Sequence, residues 1–147
     1  YYLSAISKRN NLKTEVTLAG RKINDRMLNY IIKELIYFLN KKNKTLKNSK
    51  IMIVGLTYKA GVADMRNSLN FKIFKKIKKY NNNIYGCDPF VTKNIKNTYD
   101  IYDNVKKSTY YDVILFLSYH KIFKKIFLNI VSSKNRNKIL DPFNYYS

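Results

Sequence analysis

Apolar positions follow three rhythms along this chain: helical spacing, unbroken runs, and gaps of polar punctuation. From Thr14 to Lys42, the residues Leu18, Ala19, Ile23, Met27, Tyr30, Ile31, Leu35, Phe38 and Leu39 recur every three or four positions. That spacing predicts one long amphipathic helix. Thr14 suits its N-cap, Glu15 its positive dipole end, and Lys41, Lys42 and Lys44 its negative end. At 1.5 Å per residue the helix is about 40 Å long, more than a small domain is wide. It is therefore expected to bridge two domains or to pack on another subunit. A weaker helical pattern over Tyr1 to Asn10 is broken by Asn10-Asn11.

After a polar linker, Thr45 to Ser49, the apolar run Ile51-Met52-Ile53-Val54-Gly55 reads as a buried strand. An irregular segment, Leu56 to Asn67, leads to Ser68, a good N-cap for a helix from Leu69 to Tyr80. Leu69, Ile73, Phe74 and Ile77 form its inward stripe, and Asn81-Asn82-Asn83 suits a left-handed ending. A second strand, Ile84 to Cys87, stops at Asp88-Pro89. Strand, loop, helix and strand over this span make a βαβ unit. Beyond it the pattern predicts a short edge strand within Tyr99 to Tyr102 and helical turns within Asp103 to Thr109. A central strand follows over Asp112 to Leu117, then a helix over Tyr119 to Val131 and a last strand over Lys138 to Asp141. In the helix over Tyr119 to Val131, Ile122, Phe123, Ile126, Phe127 and Ile130 face inward, with Lys121, Lys124 and Lys125 outward. The expected fold class is α/β: a Rossmann-like parallel sheet with flanking helices over 49–147, preceded by a helical region over 1–45.

The loop after the first strand is where an open parallel sheet binds ligands, because backbone N–H groups at the helix start point outward. No G-x-G-x-x-G is present. The loop instead reads Gly55-Leu56-Thr57-Tyr58-Lys59, a spacer, then Asp64-Met65-Arg66-Asn67-Ser68. Together with Asp88-Pro89, this combination closely resembles the C-terminal, UDP-binding domain of NAD-dependent nucleotide-sugar 6-dehydrogenases. The form Asp64-Met65-Arg66-Asn67-Ser68 leans toward the members acting on UDP-N-acetylhexosamines.

The resemblance implies that Tyr58 and Lys59 contact the UDP-sugar and that Arg66 reaches toward the phosphates of NAD across a domain interface. It implies that the long helix belongs to the family's central region and forms a homodimer core, with Ala19 to Met27 matching that region's signature. Such enzymes oxidise the C6 hydroxyl of a UDP-sugar to a carboxylate through a cysteine thiolate, with NAD; the single cysteine makes a reducing, cytoplasmic setting the expectation here. Their uronic-acid products feed envelope polysaccharides. The segment Tyr1-Tyr2-Leu3 resembles the stretch just past that cysteine, so the chain reads as part of something longer. The NAD fingerprint, the catalytic cysteine and its assisting lysine and asparagine have no counterpart here. No catalytic residue is assigned, NAD is expected on the missing domain, and the chain alone is expected to be inactive. The family's arginine on the last strand is absent from Ile139 to Asn144.

Read without the resemblance, each residue has a plainer alternative. Lys59 is poorly placed for a helix dipole, so it marks either a bound anion or a solvated loop. Arg66 is one of five arginines; it is either retained as a planar bidentate donor or pairs with Asp64 to hold the loop. Asp64 reads as a loop-shaping acceptor. Asp88 either touches a ribose or turns the chain. Arg21 is an interface residue or simply exposed. Cys87 ends an apolar strand with nothing nearby to depress its pKa, so it reads as a small buried residue. His120 lacks a paired carboxylate or serine and reads as packing or capping.

Composition narrows the class. One cysteine excludes an internal disulfide and gives no metal cluster, and no apolar run is long enough to span a membrane. The net charge of +20 points to a polyanion such as nucleic acid. However, lysine, asparagine, isoleucine, tyrosine and phenylalanine crowd the chain throughout, while glycine (4) and proline (2) are scarce. That skew is what an AT-rich genome produces, and it is preferred over a basic nucleic-acid-binding module. A decayed gene remnant is the third reading, which the missing arginine allows.

Overall fold

The fold was analysed in a computed structural model. The structure describes residues 15–58, 65, 66, 68–105 and 107–146, without the side chains of 15–19 and 21. The helical pattern over Tyr1 to Asn10, the Thr14 cap, Lys59 and Asp64 lie outside the described residues. So do the side chains of Leu18, Ala19 and Arg21.

The long helix forms as α1, Glu15–Asn40. Its C-terminal half is anchored: Ile31, Leu35 and Leu39, each four residues apart, are fully buried. Met27, Leu28, Ile32 and Phe38 are half-buried against the same core, while a further row stays open. Ile23, Tyr30 and Tyr37, seven residues apart, are 59%, 46% and 58% exposed. The polar linker contains one 3₁₀ turn, Leu46–Asn48.

The sheet begins with β1, Ile51–Val54, followed by α2, Leu69–Lys78, and β2, Ile84–Cys87. Next come α3, Lys93–Tyr99, and the edge strand β3, Ile101–Tyr102. The helical turns expected over 103–109 reduce to one 3₁₀ turn shifted to Ser108–Tyr110. Then follow β4, Val113–Phe116, α4, Lys121–Ser132, and β5, Ile139–Leu140. The strands pair in the order β3-β2-β1-β4-β5, all parallel. This is a doubly wound α/β sheet with its order reversing beside β1.

Two cores flank the sheet. Ile51 and Ile53 join Ile31, Leu35 and Leu39 of α1 and Ile73, Phe74 and Ile77 of α2. Met52 and Val54 point the other way, onto Phe123, Ile126, Phe127 and Ile130 of α4. The period of two along β1 thus feeds both faces, and all four of its residues are fully buried. On the second face Cys87 of β2 joins the α4 core, and a ring cluster of Tyr85, Tyr102, Tyr110 and Tyr111 extends from Tyr85.

Four local expectations need correction. Ile122 is exposed rather than inward, because the α4 stripe begins one residue later, at Phe123. The asparagine run is not left-handed: α2 ends on Lys79 in ordinary right-handed geometry. Asn81 instead donates from Nδ2 to the Leu46 and Ser49 carbonyls, 2.6 Å each, and its Oδ1 accepts from Asn83 N. It ties the end of α2 to the linker behind α1. The helix α3 precedes the edge strand, where the pattern was too lysine- and asparagine-rich to display a stripe. The edge strand is also shorter than expected, because Tyr99 ends α3 and Asp100 turns the chain in left-handed geometry (φ 56°).

The linker is also clamped to β4. Asp112 accepts from Lys44 Nζ at 2.6 Å and from Lys50 N at 2.8 Å. Partial burial pushes this carboxyl up, but the two hydrogen bonds and the charges of Lys44 and Lys138 outweigh it and hold the pKa below the usual range. A depressed folded-state pKa stabilises at pH above the unfolded value and stops doing so as pH falls through the folded value. Asp112→Asn should therefore cost about 1 kcal/mol at neutral pH, the low end for a charged hydrogen bond that water screens. In denaturant titrations the gap to wild type should close only below about pH 4.

Candidate functional site

Parallel pairing places the carboxyl ends of β2, β1 and β4 side by side, with Val54 beside Cys87 and Phe116. The next residue of each strand is therefore Asp88, Gly55 and Leu117. The ladder continues through them: Gly55 N donates to Cys87 O and Leu117 N to Val54 O, 2.9 Å each. Gly55 has φ +86°, and a Cβ there would lie 2.5 Å from Ser118 Cβ. Only glycine meets both the left-handed backbone and the close approach.

At this edge the loop between β1 and α2 is fastened from both sides. Ser68 caps α2, its Oγ accepting from Phe71 N at 3.2 Å, and the same hydroxyl donates to Leu56 O at 2.6 Å. Leu56 is fully buried and Met65 packs on the same core. The loop is thus pinched shut at its base, with Tyr58 60% exposed on one limb and Arg66 exposed on the other. Lys59, between them in sequence, lies outside the described residues.

The second fastening is Asp88, which has no exposed surface. Its Oδ2 accepts from Leu56 N (2.8 Å), Thr57 N (2.9 Å) and Thr57 Oγ1 (3.0 Å). Its Oδ1 accepts from Phe90 N at 3.0 Å. The amides after β1 were expected to offer themselves to a bound anion. They are taken by this internal carboxylate instead. Asp88 does turn the chain, through Oδ1, and a ribose contact has no support in its burial.

A third residue closes the point where strand order reverses. Asn70 Nδ2 bridges the carbonyls of Gly55 (3.0 Å) and Leu117 (3.1 Å). In dinucleotide-binding sheets the pyrophosphate enters at this place. Here Asp88 takes the amides of Leu56 and Thr57 and Asn70 bridges the two carbonyls, so this pair of amides is not open to a pyrophosphate. The described residues do not fit a dinucleotide at this turn. Among them, no three His, Cys, Asp or Glu side chains are grouped to hold a metal.

The plain readings of two residues hold. Cys87 is buried, and desolvation, with the Asp88 charge next, raises its thiol pKa to about 12. It is not an activated nucleophile. His120 caps α4, its Nδ1 accepting from Ile122 N at 3.2 Å, and its ring meets Phe90 edge-on at 5.1 Å. Tyr146, passed over in the sequence, fixes this cap further: its hydroxyl donates to Ser118 O and accepts from His120 N, 2.8 Å each.

The sequence pattern missed Asp88 and Asn70 as organisers. The available signal was positional: each follows or faces a strand end that parallel pairing brings to β1. It becomes usable only once the strand order is known.

A five-stranded parallel sheet with its order reversing beside β1, and a loop there fastened by Asp88 and Ser68, defines a doubly wound α/β domain. Residues 52–147 match the model of the UDP-glucose/GDP-mannose dehydrogenase family, UDP binding domain, and the chain belongs to that family. It is 33% identical over 128 residues to a UDP-N-acetyl-D-glucosamine 6-dehydrogenase of Salmonella typhi, covering 86% of this chain and 30% of that protein. It is 33% identical over 137 residues to Protein CapL of Staphylococcus aureus, covering 89% and 32%. The solved UDP-D-ManNAc dehydrogenase of Pyrococcus horikoshii superposes with TM-score 0.67 at 26% identity, covering 88% and 30%. The chain thus spans about a third of the length of these relatives.

The buried thiol makes a direct prediction. Cys87 should resist a thiol-specific reagent at pH 8 in the folded chain and react at the unfolding rate once denaturant is added. Rapid labelling under native conditions would contradict its placement.

Proposed function

We propose that this chain is the UDP-sugar-binding part of a nucleotide-sugar dehydrogenase that oxidises the C6 hydroxyl of a UDP-N-acetylhexosamine to a carboxylate. The observation that carries this reading is the family match over the whole sheet domain, combined with a loop fastened at both ends that turns Tyr58 outward. Tyr58 packs against the flat uridine or ribose. Lys59 offsets diphosphate charge as a point cation. Arg66 reaches toward NAD phosphates presented by another domain. NAD supplies hydride acceptance there, and this chain's residues hold and orient the substrate without taking part in the oxidation. The setting is cytoplasmic, the product serves envelope polysaccharide synthesis, and no described helix is long and apolar enough to cross a membrane.

The same reading assigns α1 to a homodimer core. Ile23, Tyr30 and Tyr37 form an exposed stripe at seven-residue spacing, which suits packing against a second helix. In sedimentation at tens of micromolar the chain should run as a dimer, and Tyr30→Lys should shift it to monomer.

Ligand binding is tested by calorimetric titration at physiological salt, with UDP against inorganic pyrophosphate. The diffuse field of a +20 chain attracts both, so only the difference reports a site. UDP should bind more tightly. Lys59→Ala should cost about 1.5–3 kcal/mol, the size of a charge-assisted hydrogen bond. Lys121→Ala, on the exposed side of α4, should cost nothing. Equal binding of UDP and pyrophosphate, or equal losses in the two variants, would refute the assignment and return the basic-module reading.

A further inference from the structure

We propose that Asp88 is a positioning residue for nucleotide recognition: an internal anion seated in the slot where a phosphate would otherwise meet the sheet. It fixes the direction in which the chain leaves β1 toward Tyr58. The inference rests on the reading of that loop as the UDP-sugar contact.

Two features set Asp88 apart from an ordinary turn residue. Reversal of the chain after β2 needs only the short-range bond from Phe90 N to Oδ1. The other oxygen does something else. It reaches across to residues 31 and 32 positions earlier and collects two successive amides and a hydroxyl. A carboxylate without exposed surface is tolerated only when its oxygens are saturated with donors. Both oxygens of Asp88 are so supplied, and among the described residues three of its four donor groups belong to Leu56 and Thr57. The site therefore exchanges the solvation of one carboxylate for a defined path of the loop base.

The consequence is geometric. Successive amides at the end of a central parallel strand form an anion slot. With Asp88 in that slot, a ligand's phosphate cannot be bound by these backbone amides and must be met by side chains farther out. Tyr58 is the next residue and is exposed. Asp88 thereby converts a backbone phosphate site into a platform whose selectivity lies in side chains such as Tyr58.

Asp88→Asn tests this in the full chain. The amide keeps the volume but supplies one acceptor oxygen where the carboxylate supplies two, so an N–H at Leu56–Thr57 or at Phe90 loses its partner. The variant should keep its circular dichroism, bind UDP at least tenfold more weakly, and bind pyrophosphate as before. Hydrogen exchange at the Leu56 and Thr57 amides should accelerate. Ile77→Val, a core change far from the loop, should lower stability and leave the UDP Kd unchanged. Should Asp88→Asn fail to fold, Thr57→Val decides: it removes one donor to Oδ2 and should weaken UDP binding, while Thr57→Ser restores it. Unchanged UDP affinity in Asp88→Asn or in Thr57→Val overturns the proposal. If wild type binds no UDP, the functional reading fails by itself, and amide exchange alone then judges the hold of Asp88 on the loop. Unaltered protection there overturns it too.

Discussion

Strand β1 is paired on both edges and buried on both faces, and the rest of the molecule is arranged by that confinement. Its four residues have no exposed surface and hydrogen-bond partners on either side. A parallel strand so placed has no freedom of register, because a slip of one residue would send Ile51 and Ile53 into the face built for Met52 and Val54. Its carboxyl end is therefore a fixed point. Gly55 lets the backbone pass Ser118, and Asn70 locks the carbonyls of Gly55 and Leu117 together. The loop carrying Tyr58 starts from this point with little latitude.

The same edge is built differently from that of a dinucleotide-binding sheet. A dinucleotide-binding sheet leaves the amides after its first strand for a phosphate. This domain fills them with Asp88 and fills the reversal point with Asn70. Under the proposed function, recognition then falls to side chains rather than to these amides. Side chains discriminate among flat bases and sugars in ways that backbone amides, which bind any phosphate, do not.

The charge has a structural resolution that does not require a polyanion. Twenty-nine basic residues face nine acidic ones. Ion pairs among the described residues include Lys44–Asp112, Lys78–Asp100 and Lys96–Asp103. Other lysines lie over aromatic rings: Lys41 over Tyr37 at 4.3 Å, Lys42 over Phe38 at 4.5 Å, Lys50 over Tyr110 at 4.0 Å and Lys75 over Phe71 at 4.9 Å. Lysine stems cover apolar surface while their charges stay in water. A chain rich in lysine and aromatics can in this way fold compactly without an acidic counterweight.

The sequence by itself determined the elements and the faces they bury. The long α1, the strands β1, β2 and β4, the Ser68 cap and the burial of Cys87 all follow from periodicity or from a residue's own chemistry, which are local properties. The Gly55 to Ser68 motif also carried the family. Where local signal was thin the reading slipped: α3 has too few apolar residues to show a stripe, Ile122 lies one step off its stripe, and the asparagine run bonds across to the linker. Only the tertiary structure decided what Asp88, Asn70 and Tyr146 do. Their partners lie about 15 to 47 positions away, and they meet because β2 and β4 both lie against β1. Strand order is set by the packing of the whole chain, so hydrogen bonds that depend on it leave no periodic trace in the sequence.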